Sequence, residues 1–320
     1  VPTAAAHNSV RRPLYRLADE RGCEVVAVPH DARGALDYDA LEAALPGARL
    51  AAVTHASNLT GDVYDIARIA RLCRERGALL VADAAQTAGV VPIDMGRDGL
   101  DVVAFTGHKS LYGPQGTGGL AVAEGVEIEP LKVGGSGTHS YDRHHPARMP
   151  ERLEAGTLNA HGIAGLGAGL AYIEERGVEE LGAPVRALAE RFERGVRGVD
   201  GVRVLGGGGD AGRCGIVALN VGDADSAAIG DALNAEFGIC TRAGAHCAPL
   251  MHEALGTQSQ GAVRFSFSSF NTEDEVDAGI AAVAAIAEEA GAVRRKTPKA
   301  GVTFGSPGGA MAVWAAPPGT

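Results

Sequence analysis

Short apolar runs alternate with amphipathic segments through the first half of the chain. The apolar runs predict buried strands, at residues 24–29, 50–54, 78–82, 102–105 and 120–123. The amphipathic segments predict helices, at residues 38–45 and 65–76, with Asp65 as the N-cap of the second. Strands that alternate with helices are typical of a mostly parallel sheet covered on both faces, so we predict an α/β fold.

The second half of the chain follows a different pattern. A long apolar segment with small residues, at 159–176, predicts a helix that links two domains. Beyond it the pattern predicts helices at 184–197, 226–236 and 273–289, and strands at 202–205, 216–220 and 262–268. These elements are typical of a smaller α+β domain.

Three stretches lack periodicity and predict irregular structure. Residues 124–152 favour a mobile active-site loop, and the glycine-rich residues 206–212 favour a flexible, hairpin-like loop. The C-terminal stretch is rich in Gly, Pro and Ala, which favours disorder. We therefore expect a large domain at 1–165, a small domain at 166–292 and a disordered tail at 293–320.

Composition excludes several classes of protein. Hydrophobic residues make up 46% of the 320 residues, which indicates a globular chain. The net charge of −10 and an aromatic content of 4% argue against nucleic acid or an anionic membrane as a partner. No apolar run is long enough to span a bilayer, and no basic leader precedes an apolar core. We expect a soluble cytoplasmic protein.

The cysteines give no sign of a disulfide framework or a metal site. They are five in number and scattered along the chain, at Cys23, Cys73, Cys214, Cys240 and Cys247. No CxxC pair occurs, and His144 and His145 have no acidic or cysteine partner at ligand spacing. We predict no metal, and a reducing cytosol as the compartment.

Lys109 follows the apolar run that ends at Phe105 and precedes a glycine-rich turn at 113–119. A lysine that a strand end holds in a pocket loses hydration, which lowers its pKa and makes it a nucleophile toward aldehydes. Thr106, His108 and the glycine-rich turn suit a phosphorylated ligand. The alternative is an ordinary surface lysine in a loop.

Asp83 ends the preceding predicted strand, with Gln86 three residues later. A carboxylate at the C-terminal end of a strand lies where α/β sheets bind ligands. Pyridoxal phosphate needs a lysine for its aldehyde and a carboxylate for its ring nitrogen, and Lys109 and Asp83 meet both needs one βα unit apart. The alternative role for Asp83 is a helix N-cap.

Two residues in the second half of the chain suggest further chemistry. Cys247 lies among small residues beside His246, with Arg242 nearby, and positive neighbours favour the reactive thiolate. The alternative is a buried structural cysteine. Arg264 lies in an otherwise apolar strand, where its guanidinium needs a substrate α-carboxylate or, alternatively, a structural salt bridge.

These segments together resemble the class V aminotransferase family, and within it the cysteine desulfurases. The matching pieces occur in the family's order, at Ala6–Pro13, Thr54–Gly61, Ala82–Gln86, Thr106–Lys109, Leu153–Thr157, Arg242–Cys247 and Val263–Ser266. Cys247 favours desulfurase over aminotransferase, because ordinary class V aminotransferases lack this cysteine. The resemblance implies the fold of a fold-type I pyridoxal phosphate enzyme, with a large α/β domain and a smaller C-terminal domain.

The resemblance also implies roles for residues around the cofactor. His7, otherwise an ordinary exposed histidine, would stack on the pyridine ring, and Asn58, otherwise a turn residue, would reach the phenolic oxygen with Gln86. Thr106 and His108 would complete the cofactor site. Thr157 would reach the phosphate of a neighbouring subunit, which implies a homodimer.

The implied reaction removes sulfur from L-cysteine. Lys109 would bind the cofactor, Lys109 or His108 would move protons, and Arg264, Arg242 and Asn58 would bind the substrate. Cys247 would take the sulfur as a persulfide, release L-alanine and pass the sulfur to an acceptor protein.

Three alternatives remain open. L-Selenocysteine is a possible substrate, and another class V aminotransferase or lyase is a possible activity. The family normally has an N-terminal segment with a phosphate-binding turn before the residue that matches Val1. A chain that lacks this segment could be an inactive truncated homologue that acts as a binding partner.

Overall fold

The computed structural model describes residues 1–296 of the chain. Its helices are α1 (Asn8–Arg21), α2 (Tyr38–Ala44), α3 (Ile66–Glu75), α4 (Met95–Asp98), α5 (Ala160–Arg176), α6 (Val178–Arg197), α7 (Ser226–Phe237), α8 (Pro249–Leu255) and α9 (Glu273–Lys296). Its strands are β1 (Leu50–Thr54), β2 (Leu79–Asp83), β3 (Val102–Thr106), β4 (Gly118–Val122), β5 (Val202–Leu205), β6 (Ile216–Val221), β7 (Arg242–Gly244) and β8 (Ala262–Ser266).

The first sheet has the order β1-β2-β3-β4. The first three strands are parallel, and β4 runs antiparallel to β3 at the edge. The prediction of a mostly parallel sheet is confirmed. Thr54 lies opposite Asp83, which lies opposite Ala104. The carboxyl ends of β1, β2 and β3 therefore meet at one edge of the sheet, where Asp83 and the segment with Lys109 emerge.

The second sheet is antiparallel and has the order β5-β6-β8-β7. Arg242 of β7 lies directly opposite Arg264 of β8. Residues that oppose each other across paired strands share a face of the sheet, so the two guanidinium groups lie on the same side. The α+β character predicted for the second half of the chain is confirmed.

Two large clusters of buried side chains form the core, and the first of them also includes Leu205, Ala218 and Ala262 of the second sheet. In α3 the residues Ile66, Ile69 and Cys73 are buried along one stripe and join a cluster with Leu80 and Val103 of the first sheet. In the second half, α6 and α9 cover the antiparallel sheet, and Phe192 of α6 packs on Phe265 with ring centroids 4.4 Å apart.

The N-cap predicted from the sequence at Asp65 marks the start of a helix in the structure. The carboxylate of Asp65 accepts a hydrogen bond from the Arg68 amide at 2.9 Å, which confirms it as the N-cap of α3. The helix predicted at 159–176 is α5, where the side chain of Asn159 accepts from the Gly162 amide at 3.1 Å.

The strand predicted at 24–29 is wrong. Val28 forms an isolated bridge with Thr3, and its backbone exchanges hydrogen bonds with Pro2 and Ala4. The pairing is limited to this short stretch, so the apolar residues there do not build a regular strand.

Helix α1 was missed, and α6 begins before its predicted start. Helix α1 buries no residue and contains Pro13, so it has neither a strong apolar stripe nor an uninterrupted helical sequence. Helix α6 begins at Val178 because Gly177 turns the chain at φ 91, and the helix accommodates Pro184 in its second turn.

The loop at 206–212 is packed rather than free. A Cβ on Gly206 would lie 2.6 Å from Thr60 Cβ, and one on Gly208 would lie 2.3 Å from the Ala35 amide nitrogen. The Gly207 amide donates to Asp62 at 2.9 Å. The glycines allow the close approach of this loop to the segment around residue 60, so the prediction of a flexible hairpin is corrected.

The C-terminal helix α9 continues to Lys296, so residues 293–296 are helical rather than part of a disordered tail. The remainder of that predicted tail, 297–320, lies outside the described residues. Within residues 1–296, no helix combines the length and the apolar composition that a membrane span requires.

We predict that Gly61→Ala destabilises the chain more than a matched glycine substitution. Gly61 has φ 79, and a Cβ there would lie 2.3 Å from the carbonyl oxygen of Ile216. We expect a loss of about 2–4 kcal/mol in the free energy of unfolding, from the left-handed backbone and the clash together. Urea denaturation measures it.

Gly22→Ala is the control. Gly22 has φ 67 at the end of α1, but no atom lies within 4 Å of the position of its Cβ. Only the backbone cost of about 1 kcal/mol should appear there. Equal losses in the two variants would contradict a tight junction at Gly61.

Candidate active site

A cavity of about 280 Å³ lies between the two halves of the chain. It brings together predicted site residues from both halves: His7, Asn58, Gln86, Lys109, Arg242 and Arg264. Asn58, Gln86 and Lys109 follow the first three strands, His7 precedes α1, and the two arginines come from β7 and β8. Their roles stay predictions, but the structure places these side chains around one space.

Lys109 follows β3 and lines the cavity. Lys109 is an exposed residue, yet the protein around its amine removes enough water to lower its pKa. Asp83 opposes this change, and Arg264 adds to it by repulsion. A lysine with a lowered pKa has more neutral amine at a given pH, which is the nucleophilic form.

Asp83 lies at the C-terminal end of β2, and one carboxylate oxygen accepts a hydrogen bond from the Ala85 amide at 3.0 Å. Asp83 lines a second cavity together with Thr106, and its charge acts on Lys109 of the first cavity. Turns follow Asp83, and Asp94 caps the next helix, so the alternative of a helix N-cap is wrong.

His108 is exposed beside Lys109, where both line an open pocket with Tyr112 and Phe270. The Thr106 hydroxyl and the His108 Nδ1 are hydrogen-bonded at 2.8 Å, and this bond fixes the orientation of the imidazole. Thr106 therefore orients His108 and also lines a cavity together with Asp83.

His7 is an ordered residue at the start of a helix, not part of a frayed terminus. It is the N-cap of α1, and its Nδ1 accepts a hydrogen bond from the Ser9 amide at 3.1 Å. Burial lowers the pKa of His7, and the nearby Lys109 lowers it further. The ring is therefore mostly neutral at neutral pH, which suits packing against another ring.

Asn58 is buried and contacts both halves of the chain. The side-chain Nδ2 of Asn58 donates to the backbone carbonyl oxygen of His246 at 2.6 Å, and the backbone carbonyl oxygen of Asn58 accepts from Arg264 at 3.0 Å. The Oδ1 of Asn58 and the Nε of Arg264 have no hydrogen-bond partner among the described residues. Asn58 and Arg264 both line the cavity, so hydrogen-bonding capacity in its wall is unused.

Arg264 has no carboxylate partner in the part of the chain that the structure describes, so the structural salt bridge considered for it is not formed there. Burial lowers the pKa of Arg264, and the adjacent Arg242 acts in the same direction. Two guanidinium groups side by side in a cavity favour an anionic ligand.

Cys247 is half-buried and lies in the turn that joins β7 to α8. His246 and Cys247 both have left-handed backbones, with φ 50 and φ 57. Burial lowers the pKa of His246 to about 4 and leaves the ring neutral at pH 7, so His246 does not supply a positive charge that would favour the thiolate. Arg242 remains the nearby cation, and Cys247 is not among the residues that line the cavity.

Thr157 lies outside the cavity. It is exposed in the loop before α5, and no group that binds its hydroxyl is present among the described residues. Its predicted role toward a neighbouring subunit therefore stays a prediction.

Tyr112 and Cys214 are among the residues of the cavity wall that sequence reasoning missed. Tyr112 has φ 57, and its hydroxyl is hydrogen-bonded to Ser269 at 2.8 Å, which joins the Lys109 segment to the C-terminal half. Cys214 is buried in the same wall, and burial raises its pKa to about 12. The position of Tyr112 three residues after Lys109 was a usable signal, whereas nothing in the sequence placed Cys214 near the site.

The sequence matches the family described as aminotransferase class-V over residues 1–278. A probable cysteine desulfurase of Methanothermobacter thermautotrophicus is 36% identical over 276 residues, which cover 84% of this chain and 68% of the relative. Cysteine desulfurase CsdA of Escherichia coli is 34% identical over 290 residues, which cover 88% of this chain and 70% of the relative.

Solved structures give the same result. A cysteine desulfurase of Thermococcus onnurineus superposes with a TM-score of 0.83 at 31% identity, covering 90% of this chain and 72% of that one. CsdA of Escherichia coli superposes with a TM-score of 0.81 at 32% identity, covering 90% of this chain and 71% of that one. The predicted fold is confirmed, and the chain belongs to the class V aminotransferase family.

Proposed function

We propose that this chain is a pyridoxal phosphate-dependent cysteine desulfurase. The observation that carries the proposal is the position of Lys109. Its amine has a lowered pKa and faces a cavity lined by two arginines, with a strand-end carboxylate close by. The relatives named cysteine desulfurases at 32–36% identity support the same reaction.

The residues around the cavity fit pyridoxal phosphate. Lys109 offers an amine for the aldehyde, and Asp83 offers a carboxylate for the ring nitrogen. Asn58 has an unpaired buried oxygen and a second amide hydrogen for the polar edge of the ring, and His7 offers a neutral ring for stacking. When bound, the cofactor supplies an electron sink for the carbon next to the substrate amino group.

The substrate carboxylate is assigned to Arg264. Its Nε has no partner among the described residues, although one of its terminal nitrogens is held by Asn58, so the guanidinium is oriented and still free to bind. Arg242 lies beside it and adds a second positive charge. This pair orients an amino acid with its amino group toward Lys109.

Cys247 is assigned the sulfur transfer. Its thiolate attacks the sulfur of the bound cysteine, so that an S–S bond forms as the C–S bond breaks. The electron pair of the broken bond stays with the carbon skeleton, which takes up a proton and leaves as alanine. The amine of Lys109 or the imidazole of His108, which Thr106 orients, delivers the proton.

The persulfide must then pass its sulfur to an acceptor, for which we propose a thiol-bearing protein. All five cysteines are free. Free thiols are typical of a reducing compartment, so we place the reaction in the cytoplasm.

One observation favours a second candidate function. Cys247 is absent from the cavity wall, whereas Lys109, Arg242 and Arg264 all line it. A selenocysteine lyase or an aminotransferase of the same family would need those three residues without a reactive thiol. Cleavage of selenocysteine, or transamination, with no sulfur on Cys247 would support this second candidate over the first.

We also propose that the chain forms a homodimer. Thr157 is exposed in the loop before α5, and exposed apolar side chains follow it at Leu158, Ile163 and Leu170. Ile163 and Leu170 are seven residues apart on α5 and share one face of the helix. A second copy of the chain would cover this face and place Thr157 near the partner's site.

We predict that Lys109→Ala removes covalent binding of pyridoxal phosphate. The visible absorbance of the bound cofactor should disappear, because no other amine faces the cavity among the described residues. Lys132→Ala, at an exposed lysine of the loop 124–152, should keep the absorbance of the parent. A Lys109→Ala protein with the visible spectrum of the parent would contradict the assignment.

Cys247→Ala should keep the cofactor spectrum but lower alanine release from L-cysteine by about 10²-fold, since a lost nucleophile costs several kcal/mol of transition-state stabilisation. Alanine assay and mass spectrometry of the Cys247 peptide measure activity and persulfide together. Cys240→Ala, at an exposed cysteine, is the matched control. Equal alanine from Cys247→Ala and the parent, with no persulfide on the parent, would exclude the desulfurase.

Sedimentation at micromolar concentration should give twice the mass of the chain. Ile163→Glu should shift the protein toward monomer, because burying a charge in an apolar interface is costly. Leu17→Glu, at an exposed apolar residue of α1, should leave the dimer intact. A monomeric parent that binds the cofactor tightly would refute the dimer.

A further inference from the structure

Two consecutive carbonyl groups in the Cys247 turn are bound by the segments that line the cavity. The carbonyl of His246 accepts from the Asn58 side chain at 2.6 Å. The carbonyl of Cys247 accepts from the backbone amide of Asn8 at 2.9 Å. Asn8 directly follows His7, which lines the cavity with Asn58. The turn that carries the thiol is thus tied at adjacent peptide groups to two parts of the cavity wall.

The turn needs such support because its backbone is strained. His246 and Cys247 have φ 50 and φ 57, a region that L residues with side chains rarely adopt. Two such residues in succession persist where the surrounding structure holds them in place. The Nε2 of His246 also bonds to the Ala262 carbonyl at 3.0 Å, which holds the other side of the turn.

We infer that Asn58 and the backbone N–H of Asn8 are positioning groups for Cys247. They hold the strained turn from the side of the cavity, so the geometry of the thiol depends on the same residues that surround the ligand. The inference rests on the proposed function only in that the thiol is assigned the sulfur transfer. The hydrogen bonds that hold the turn are present in the chain whatever the thiol does.

The hydrogen-bonding capacity of Asn58 allows it to serve both the turn and a ligand. An amide nitrogen has two hydrogens, and one of them is used by the His246 carbonyl. The second hydrogen and the unpaired Oδ1 remain for a group in the cavity. A ligand that binds there would orient the same amide that holds the turn.

The Asn8 amide is free to bind the turn for a reason of helix geometry. Asn8 is the first residue of α1, and the first amides of a helix have no partner within it. Proline is well tolerated at this position, because it lacks only an N–H that the helix does not use. The backbone of the preceding His7 is extended, as a residue before proline prefers.

Asn8→Pro therefore removes the donor to Cys247 and keeps the helix. Asn8→Ala is the matched control, because it keeps the N–H and changes only the side chain. For the second contact, Asn58→Ala removes the donor to His246, and Gln86→Ala is its control, since Gln86 lines the cavity without a hydrogen bond to the turn.

The readout is the rate at which iodoacetamide alkylates Cys247, followed by mass spectrometry of its peptide. The exposed Cys23 and Cys240 are replaced by serine in all proteins so that they do not consume reagent. Alkylation of the half-buried thiol reports opening of the turn. We expect an increase of about fivefold in Asn8→Pro and in Asn58→Ala, the factor that corresponds to the loss of one hydrogen bond.

The inference would be overturned if Cys247 were alkylated in Asn8→Pro and Asn58→Ala at the same rate as in their controls. A lower alkylation rate in these variants would also overturn it. Melting temperatures of all four variants establish that each is folded, and Asn8→Pro keeps the test valid if Asn58→Ala does not fold. The alkylation assay needs no turnover. If the parent releases no alanine but the variants are alkylated faster than their controls, the proposed function is rejected and the inference stands. If the parent releases alanine but the variants are alkylated at the rates of their controls, the inference is rejected and the proposed function stands.

Discussion

The structure depends on the hydrogen bonds that the loop after β1 makes to the C-terminal half of the chain. In residues 58–61, the backbone carbonyls of Asn58 and Thr60 accept from Arg264 and Arg213, and that of Gly61 accepts from the Cys214 amide. The contacts reach β8 and the segment that leads into β6, and Arg264, Cys214 and Ile216 in these parts line the cavity. Because the loop also continues directly from β1, it fixes the distance between the two sheets and hence the width of the cavity.

Charge determines what this cavity can bind. Lys109, Arg242 and Arg264 line it, and the carboxylate of Asp83, which lines a second cavity, acts on Lys109. The excess of positive charge favours an anionic ligand, and burial lowers the pKa of both Lys109 and Arg264. The same environment therefore attracts a phosphate or carboxylate and keeps an amine reactive, which are the two requirements of a pyridoxal phosphate site.

Many of the helices and strands could be predicted from local sequence signals, whereas the contacts between distant segments could not. Asp65 caps α3 as the sequence predicted, α5 forms within the predicted segment 159–176, and Asp83 and Lys109 lie at or after the ends of strands whose apolar runs were clear. Helix α1 was missed because it buries no residue, and the strand at 24–29 failed because it has too short a partner. Contacts between distant segments, such as Cys214 in the cavity wall or Asn8 on Cys247, have no local signature.

The central claim is that the amine of Lys109 is the attachment point for a cofactor in the cavity between the two sheets. The most direct measurement is to incubate the unaltered chain with pyridoxal phosphate, reduce it with borohydride, and map the modified peptide by mass spectrometry. The account predicts the label on Lys109. A label on another lysine, or no label, would contradict it.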